Sequence, residues 1–102
     1  MESSNDQIKE IVESFAKRME SKILQRQARW GEMSWKNADP LDLLAHLNKE
    51  VAELVEEMAK ERRRDRFESY DLNLLIMEAV DVANLAMMIA DRYSTVSKEE
   101  KK

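Results

Sequence analysis

The chain has 102 residues, of which 43% are apolar and 37% charged, with one glycine, one proline and no cysteine. Average usage is about seven glycines and five prolines per hundred residues, so sandwiches, barrels and doubly wound sheets lack their turn residues and an all-α fold is predicted. The lack of cysteine excludes a disulfide framework and a thiolate zinc site, and the net charge of −4 argues against a nucleic-acid polymer as partner.

The length predicts one domain over residues 1–102, with flexible polar ends at 1–6 and 94–102. A chain this short buries only roughly 60 to 65% of its unfolded surface. We therefore expect a core that is completed by oligomerisation. The first thirty residues contain no apolar segment typical of a signal peptide, which favours a cytoplasmic protein.

The first helix is predicted to end at about Ala28, and side-chain oxygens of Ser3, Ser4 and Asn5 can cap its start. Its apolar residues recur at intervals of three and four, as a helix with one buried face requires. They are Ile8, Ile11, Val12, Phe15, Met19, Ile23 and Leu24.

The main loop is predicted around residues 30–40, where the periodicity fails and Gly31 and Pro40 both occur. Asp39 followed by Pro40 is typical of a helix N-cap and first helical residue. The second helix therefore begins there, with an apolar stripe wide enough to face a core. The stripe consists of Leu43, Leu44, Leu47, Val51, Leu54, Val55 and Met58.

The third helix is predicted after a break near 67–70, with Asp71 as its N-cap and its end at about Tyr93. Between residues 74 and 90 it is apolar on all sides except for three polar side chains at intervals of three, Glu78, Asp81 and Asn84. This pattern predicts burial on nearly all sides, for which a dimer interface would supply the missing neighbours. The apolar segment falls short of a membrane span, so no membrane partner is expected.

Two pairs of carboxylates share a helix face, since Glu50 and Glu53 on the second helix have the same i, i+3 spacing as Glu78 and Asp81 on the third. Antiparallel packing of these helices brings the four together. A hard divalent cation relieves their repulsion, and oxygen ligands favour Mg²⁺, with Mn²⁺ as the alternative. A competing interpretation pairs them with Arg or Lys, which for Glu78 and Asp81 requires another chain because residues 74–90 contain neither.

These residues resemble a known family. The segment Glu50-Val51-Ala52-Glu53, followed after 24 residues by Glu78-Ala79-Val80-Asp81, is similar to the E-x-x-E and E-x-x-D signature of MazG-like all-α nucleoside triphosphate pyrophosphohydrolases. The resemblance covers about Met19 to Tyr93. It implies a helical bundle with three main helices per chain, assembled as a dimer or a dimer of dimers. Many members carry a further Glu where this chain has Lys49, which removes the basis for an additional metal site.

The resemblance also implies hydrolysis of a (deoxy)nucleoside triphosphate to the monophosphate and pyrophosphate. Its biological setting, whether cleaning of the nucleotide pool, a stress response or a phage role, is left open by the sequence. Mg²⁺ is then held by the four acids, and we assign the role of general base to one of them. The metal ligands are Glu50, Glu53, Glu78 and Asp81, and the base is Glu53.

Four further residues are candidates for substrate binding. Lys22 and Arg29 share a helix face with Arg26 and can meet the triphosphate. A solvated face explains the three residues as well, and it is the favoured interpretation of Arg26. Trp35 can stack on a base or pack in an interface. Asn84 can bind a sugar hydroxyl or a motif acid. The alternative to an enzyme is a non-catalytic helical dimer that acts as an interaction or metal-binding module.

Overall fold

The structure is a computed structural model that describes residues 3–65 and 69–100. It contains three long helices, α1 (Ser4–Trp30), α2 (Pro40–Arg63) and α3 (Leu72–Glu100). A short 3₁₀ helix, Ser34–Asn37, lies between α1 and α2. The described residues contain no strand, so the predicted all-α fold with three main helices is confirmed.

Side-chain caps begin all three helices at the predicted residues. The backbone N–H of Asp6 donates to Ser3 Oγ at 3.2 Å, and that of Leu41 donates to Asp39 Oδ1 at 2.9 Å. In the same way Asn73 N–H donates to the Asp71 side chain at 3.0 Å. Each cap satisfies a donor that lacks a partner within its helix. The break predicted near 67–70 falls in part on residues 66–68, which lie outside the described residues.

The helices are longer than the sequence pattern predicts. α1 continues to Trp30 and ends at Gly31, whose φ of 99° is a conformation that favours glycine. α3 continues past Tyr93 to Glu100, into the segment assigned to a flexible end, and α1 already begins at Ser4. Lys and Glu extend α3 because they are good helix formers without needing an apolar face.

α3 packs most extensively on α2, and also on α1 and the 3₁₀ helix. The apolar core is small. Leu43, Leu85 and Met88 are buried together, and partly buried side chains surround them. Val80 is fully buried on the same helix as Leu85 and Met88. The core therefore lies at the end of the bundle where the connection between α1 and α2 meets α3.

Much of the apolar surface predicted to be core is exposed in the single chain. On α2, Leu43 is buried, but Val51, Val55 and Met58 are 40 to 60% exposed. On α3, Leu72 and Leu74 are exposed as well. Within one chain α1 and α2 cover only part of α3, so the burial of α3 on nearly all sides, which requires a dimer interface, stays a prediction.

The segment Leu72–Thr95 of α3 has a mean hydropathy of 1.6 and is long enough to cross a membrane by length and composition. The prediction that the helix is too short for a span is thus wrong, because the apolar run extends beyond residues 74–90. Core helices of soluble proteins have the same properties. The segment contains three polar side chains directed into the fold, Glu78, Asp81 and Asn84.

Candidate metal centre

Three acidic side chains converge where α2 and α3 pack together. One ligand oxygen from each of Glu50, Glu78 and Asp81 lies within 4.8 Å of the other two. We call these residues the acidic triad. Glu50 is 6% and Asp81 7% exposed, and Glu78 is partly buried. The triad is therefore part of the interior and does not belong to a solvated helix face.

The positions of the triad residues depend on helical periodicity and on where α3 begins beside α2. Glu78 and Asp81 are separated by three residues, so both project from the same side of α3. Tyr70, which precedes α3, donates a hydrogen bond from its hydroxyl group to Glu57 of α2. This contact fixes the entry of α3 beside α2, one turn of α2 beyond Glu53.

Two oxygens of the triad have no hydrogen-bond partner among the described residues, although both are buried. They are Oε2 of Glu50 and Oε2 of Glu78. The other oxygen of Glu50, Oε1, lies 3.3 Å from Nε2 of His46. A buried carboxylate oxygen without a partner is unfavourable, typically by several kcal/mol when charged. The two oxygens are consequently available to a ligand that can approach them.

Burial and neighbouring charges oppose ionisation in the triad. Burial raises the pKa of Glu50 to about 7, with contributions from a side-chain hydrogen bond with Glu53 and from the charges of Glu53, Asp81 and Glu78. The pKa of Glu78 is also raised, first by burial and then by Glu53 and Asp81. Glu50 and Glu78 are therefore harder to ionise than a solvated glutamate unless a cation is present.

The fourth predicted metal ligand, Glu53, lies beside the triad and not within the set of mutually close oxygens. It contacts Glu50 through a side-chain hydrogen bond and is only partly buried. Glu53 is thus at the rim of the site, where water has access. This position differs from that of Glu50 on the same helix, which is directed into the interior.

The chemistry of the triad suits a metal ion. Three carboxylates supply oxygen atoms with formal negative charge, and two of those oxygens have no other partner among the described residues. Hard divalent cations bind such oxygen ligands, and their charge removes the repulsion that raises the pKa of Glu50 and Glu78. The acidic triad can therefore hold a metal ion.

Asp81 also has cationic partners from α1. Arg26 Nη2 donates to Asp81 Oδ1 at 3.2 Å, and Lys22 Nζ lies 3.9 Å from the same oxygen. The prediction that a cation for this acid must come from another chain is wrong, because α1 packs against α3 within one chain. The interpretation of Arg26 as a solvated residue is likewise corrected.

A cavity of about 920 Å³ adjoins the triad. Lys22, Arg26 and His46 contribute to its lining and also contact the acids of the triad. Arg29 and Trp35 line it as well. Its apolar lining comes from Ile23, Leu43, Leu85 and Met88. Three of the four predicted substrate-binding residues, Lys22, Arg29 and Trp35, are therefore at one cavity.

Trp35 is held by its indole N–H, which donates to Asp91 Oδ2 of α3 at 3.0 Å. Lys36 Nζ lies 2.6 Å from the same oxygen. Asp91 and Lys36 are not predicted from the sequence, since no spacing rule connects residues more than fifty positions apart. For Arg26 a signal was present, because it shares a helix face with Lys22 and Arg29.

Asn84, the fourth predicted substrate-binding residue, is 3% exposed. Its Nδ2 donates to the backbone oxygen of Met19 on α1 at 3.3 Å, and its Oδ1 is buried without a partner among the described residues. The amide group therefore joins α3 to α1, one turn beyond Asp81. The contact with a motif acid or a sugar hydroxyl stays a prediction.

Comparison of this chain with known proteins gave no match to a family model, to a curated protein or to a solved structure. The triad and its cavity are therefore the features of this chain that point to a function.

Proposed function

We propose that the protein is a divalent-cation-dependent nucleoside triphosphate pyrophosphohydrolase of MazG-like type that acts in the cytoplasm. The observation that carries this proposal is the buried acidic triad beside a cavity with a cationic lining. Carboxylates that hold a metal next to cations that bind phosphate are the combination that a nucleoside triphosphate requires.

In this proposal Glu50, Glu78 and Asp81 would hold Mg²⁺ or Mn²⁺, and Glu53 would complete the site from its rim. A bound metal ion neutralises phosphate oxygens and lowers the pKa of a coordinated water molecule. A carboxylate oxygen of Glu53 accepts the proton of the water that attacks the α-phosphorus. A new bond forms between the water oxygen and phosphorus, the bond from phosphorus to the α–β bridging oxygen breaks, and pyrophosphate leaves with that oxygen.

The cavity suits the rest of a nucleotide. Binding sites for small molecules and cofactors have volumes of about 300 to 1,000 Å³, and this cavity has about 920 Å³. Lys22 and Arg29 bind phosphate oxygens, and the face of the Trp35 indole, whose N–H is already used, stacks on the base. Asn84 does not line this cavity, and it remains the candidate for the sugar because its Oδ1 has no partner among the described residues.

Homo-oligomerisation belongs to the same proposal, as a dimer or a dimer of dimers. Val51, Val55 and Met58 lie on one face of α2 and are exposed in the single chain. A second copy that covers this face removes apolar surface from water, at about 25 cal/mol per Å². The exposed residues Leu72 and Leu74 of α3 supply further surface for such contacts.

A non-catalytic helical dimer is the second candidate. The observation in its favour is that Arg26 and Lys22 already neutralise Asp81. In that case the triad would serve as a structural ion cluster or a metal-binding module, and the cavity would have no substrate. The two candidates are distinguished by hydrolysis of a nucleotide, which only the enzyme carries out.

Incubation of the purified protein with a panel of ribo- and deoxyribonucleoside triphosphates and Mg²⁺ tests the proposal. We expect a nucleoside monophosphate and pyrophosphate as products, and loss of activity on removal of divalent ions. Glu50→Gln and Asp81→Asn are expected to abolish turnover because each removes a charged metal ligand. Glu53→Gln should lower kcat by at least about 100-fold, the usual effect of losing a general base.

Glu56→Gln is the matched control, since Glu56 is an exposed acid on the same helix. Its activity should equal that of the wild type. A folded protein that releases no pyrophosphate from any nucleotide would support the binding module in place of the enzyme. Release of phosphate and a diphosphate would contradict attack at the α-phosphorus.

A further inference from the structure

Two cations from α1 share one oxygen of the acidic triad. Arg26 and Lys22 are one helical turn apart, and they lie 3.2 and 3.9 Å from Asp81 Oδ1. Both also line the cavity. They therefore stand between the oxygens that can hold a metal ion and the space that can hold phosphate.

The three acids of the triad differ in whether a cationic side chain neutralises them. Both cations contact Asp81, whereas Glu50 and Glu78 each have a buried oxygen without a hydrogen-bond partner among the described residues. Glu50 is 94% buried. A cation that binds all three acids must come close to Asp81, where the guanidinium group of Arg26 already lies. Two cations at one carboxylate repel each other, so they compete for it.

We infer that Arg26 and Lys22 are exchangeable counter-ions, which neutralise Asp81 before a divalent cation binds and turn to the phosphates of the substrate afterwards. This inference rests on the proposed function and adds a coupling between its two ligands. Arg26 and Lys22 would leave Asp81 when the triad holds a divalent cation, and both side chains already line the cavity. Binding of the metal ion then favours binding of the triphosphate, and by reciprocity the triphosphate favours the metal ion.

The chemistry of both side chains suits this exchange. A guanidinium group forms paired hydrogen bonds with phosphate as readily as with carboxylate, so Arg26 exchanges one oxyanion for another. The side chain of Arg26 is 37% exposed and that of Lys22 is 25% exposed, so both have open space beside them. Neither needs a backbone movement to leave Asp81, since long side chains change rotamer.

Calorimetric titration of the metal-free protein with Mn²⁺ alone is the first measurement. Arg26→Gln should bind Mn²⁺ about 5- to 10-fold more tightly than the wild type, because the competing cation is gone and the coupling falls in the usual range. Arg26→Lys keeps the charge and should bind Mn²⁺ nearly as the wild type does. Arg18→Gln is the matched control, since Arg18 is an exposed residue about 12 Å away along α1, and its affinity should be unchanged.

The second measurement is the affinity for an α,β-methylene nucleoside triphosphate, which resists cleavage at the bond in question, in excess Mg²⁺. Here Arg26→Gln should bind about 10-fold more weakly than the wild type, a change opposite in sign to that for Mn²⁺. If Arg26 only orients Asp81, both affinities fall. If Arg26 is only a solvated residue, neither changes. Either result overturns the inference.

Lys22→Gln provides an independent variant should Arg26→Gln fail to fold. It should also bind Mn²⁺ more tightly and the nucleotide analogue more weakly than the wild type, with smaller changes than Arg26→Gln. Wild-type protein that binds no Mn²⁺ would overturn both this inference and the proposed function. Opposite changes in the two affinities without turnover of any nucleotide would support the counter-ion exchange and contradict the enzyme. If the wild type hydrolyses a nucleotide but Arg26→Gln lowers both affinities, the enzyme is supported and the counter-ion exchange is contradicted.

Discussion

At the scale of single residues, Glu50 shows how strongly the interior opposes the charge of the triad. Its side chain is buried between α2 and α3, one oxygen has no hydrogen-bond partner among the described residues, and Glu53, Glu78 and Asp81 are near it. His46 approaches its other oxygen, but the His46 side chain is itself 45% exposed. A group in these surroundings costs stability when it is ionised and favours any ligand that neutralises it.

The pKa of Glu50 predicts how stability depends on pH in the absence of metal. The pKa is raised from 4.5 to about 7 in the folded chain, so between these values the folded state binds more protons than the unfolded state. Stability contributed by the neutral carboxyl group is therefore lost as pH rises from about 4.5 to about 7. Glu50→Gln stays neutral and should be more stable than the wild type at pH 8, on the order of 1 to 3 kcal/mol, and similar to it at pH 5.

Urea unfolding at pH 5 and pH 8 in the presence of a chelator measures this difference. Glu56→Gln, at an exposed position of the same helix, should change stability little at either pH. If Glu50→Gln were less stable than the wild type at pH 8, the carboxylate would have a favourable partner in the folded state, and the electrostatic account of the triad would be wrong.

The residues of the triad could be predicted from the sequence because their signal is local. The spacing of Glu78 and Asp81 puts both on one helix face, and acids in an otherwise apolar helix point to the interior. The ion pairs of Asp81 could not be predicted in this way. Arg26 lies 55 residues away, and only the packing of α1 on α3 determines that it reaches this carboxylate.

At the scale of elements, the connection between α1 and α2 is fixed onto α3 by side chains of consecutive residues. Asp91 accepts a hydrogen bond from the Trp35 indole and pairs with Lys36. Arg92 Nε donates to the backbone oxygen of Ala38 at 3.1 Å. These contacts keep the 3₁₀ helix against α3 and hold the indole of Trp35 at the wall of the cavity.

Loss of the Asp91 carboxylate should loosen this connection. Asp91→Ala removes both side-chain contacts, worth about 1 to 2 kcal/mol together, while alanine favours the helical conformation of α3. The backbone bonds from Lys36 N–H to Met33 oxygen and from Ala38 N–H to Trp35 oxygen, each 3.0 Å long, should then open more often. We expect amide hydrogen exchange to become about 10-fold faster at these two amides.

Hydrogen exchange followed by NMR resolves the two amides individually. Glu56→Ala changes an acid to alanine on an exposed helix face and should leave both exchange rates as they are in the wild type. Unchanged protection in Asp91→Ala would show that Arg92 and the apolar contacts of Trp35 suffice to hold the connection.

The ends of the helices show where sequence patterns work and where they fail. Ser3, Asp39 and Asp71 cap their helices as predicted because a cap depends on the chemistry of adjacent residues. The end of α3 was predicted too early, at Tyr93, because the apolar pattern stops there. Helix continues through the charged residues up to Glu100, since periodicity reports burial and not helix formation.

At the scale of the whole molecule, the single chain is extended and exposes much apolar surface. Its radius of gyration is 16.8 Å, whereas a compact chain of this length is expected to have about 13 Å. The stripe of α2 is divided between two environments, since Leu43 lies in the core and Val55 is 60% exposed. The amphipathic pattern could be predicted, but one chain does not contain the neighbours that would bury the second half of the stripe.

Association of two copies through this face is the whole-molecule prediction. Light scattering should give about 24 kDa or a multiple of it, compared with 12.0 kDa for one chain. Val55→Glu should shift the protein to the monomer and raise the dissociation constant by at least about 100-fold, because a charge at the centre of an apolar interface loses its water without gaining a partner. Glu56→Lys, also an exposed position, should leave the mass unchanged. A wild-type chain that stays at the mass of one chain at high concentration would show that the exposed face of α2 does not bind a second copy.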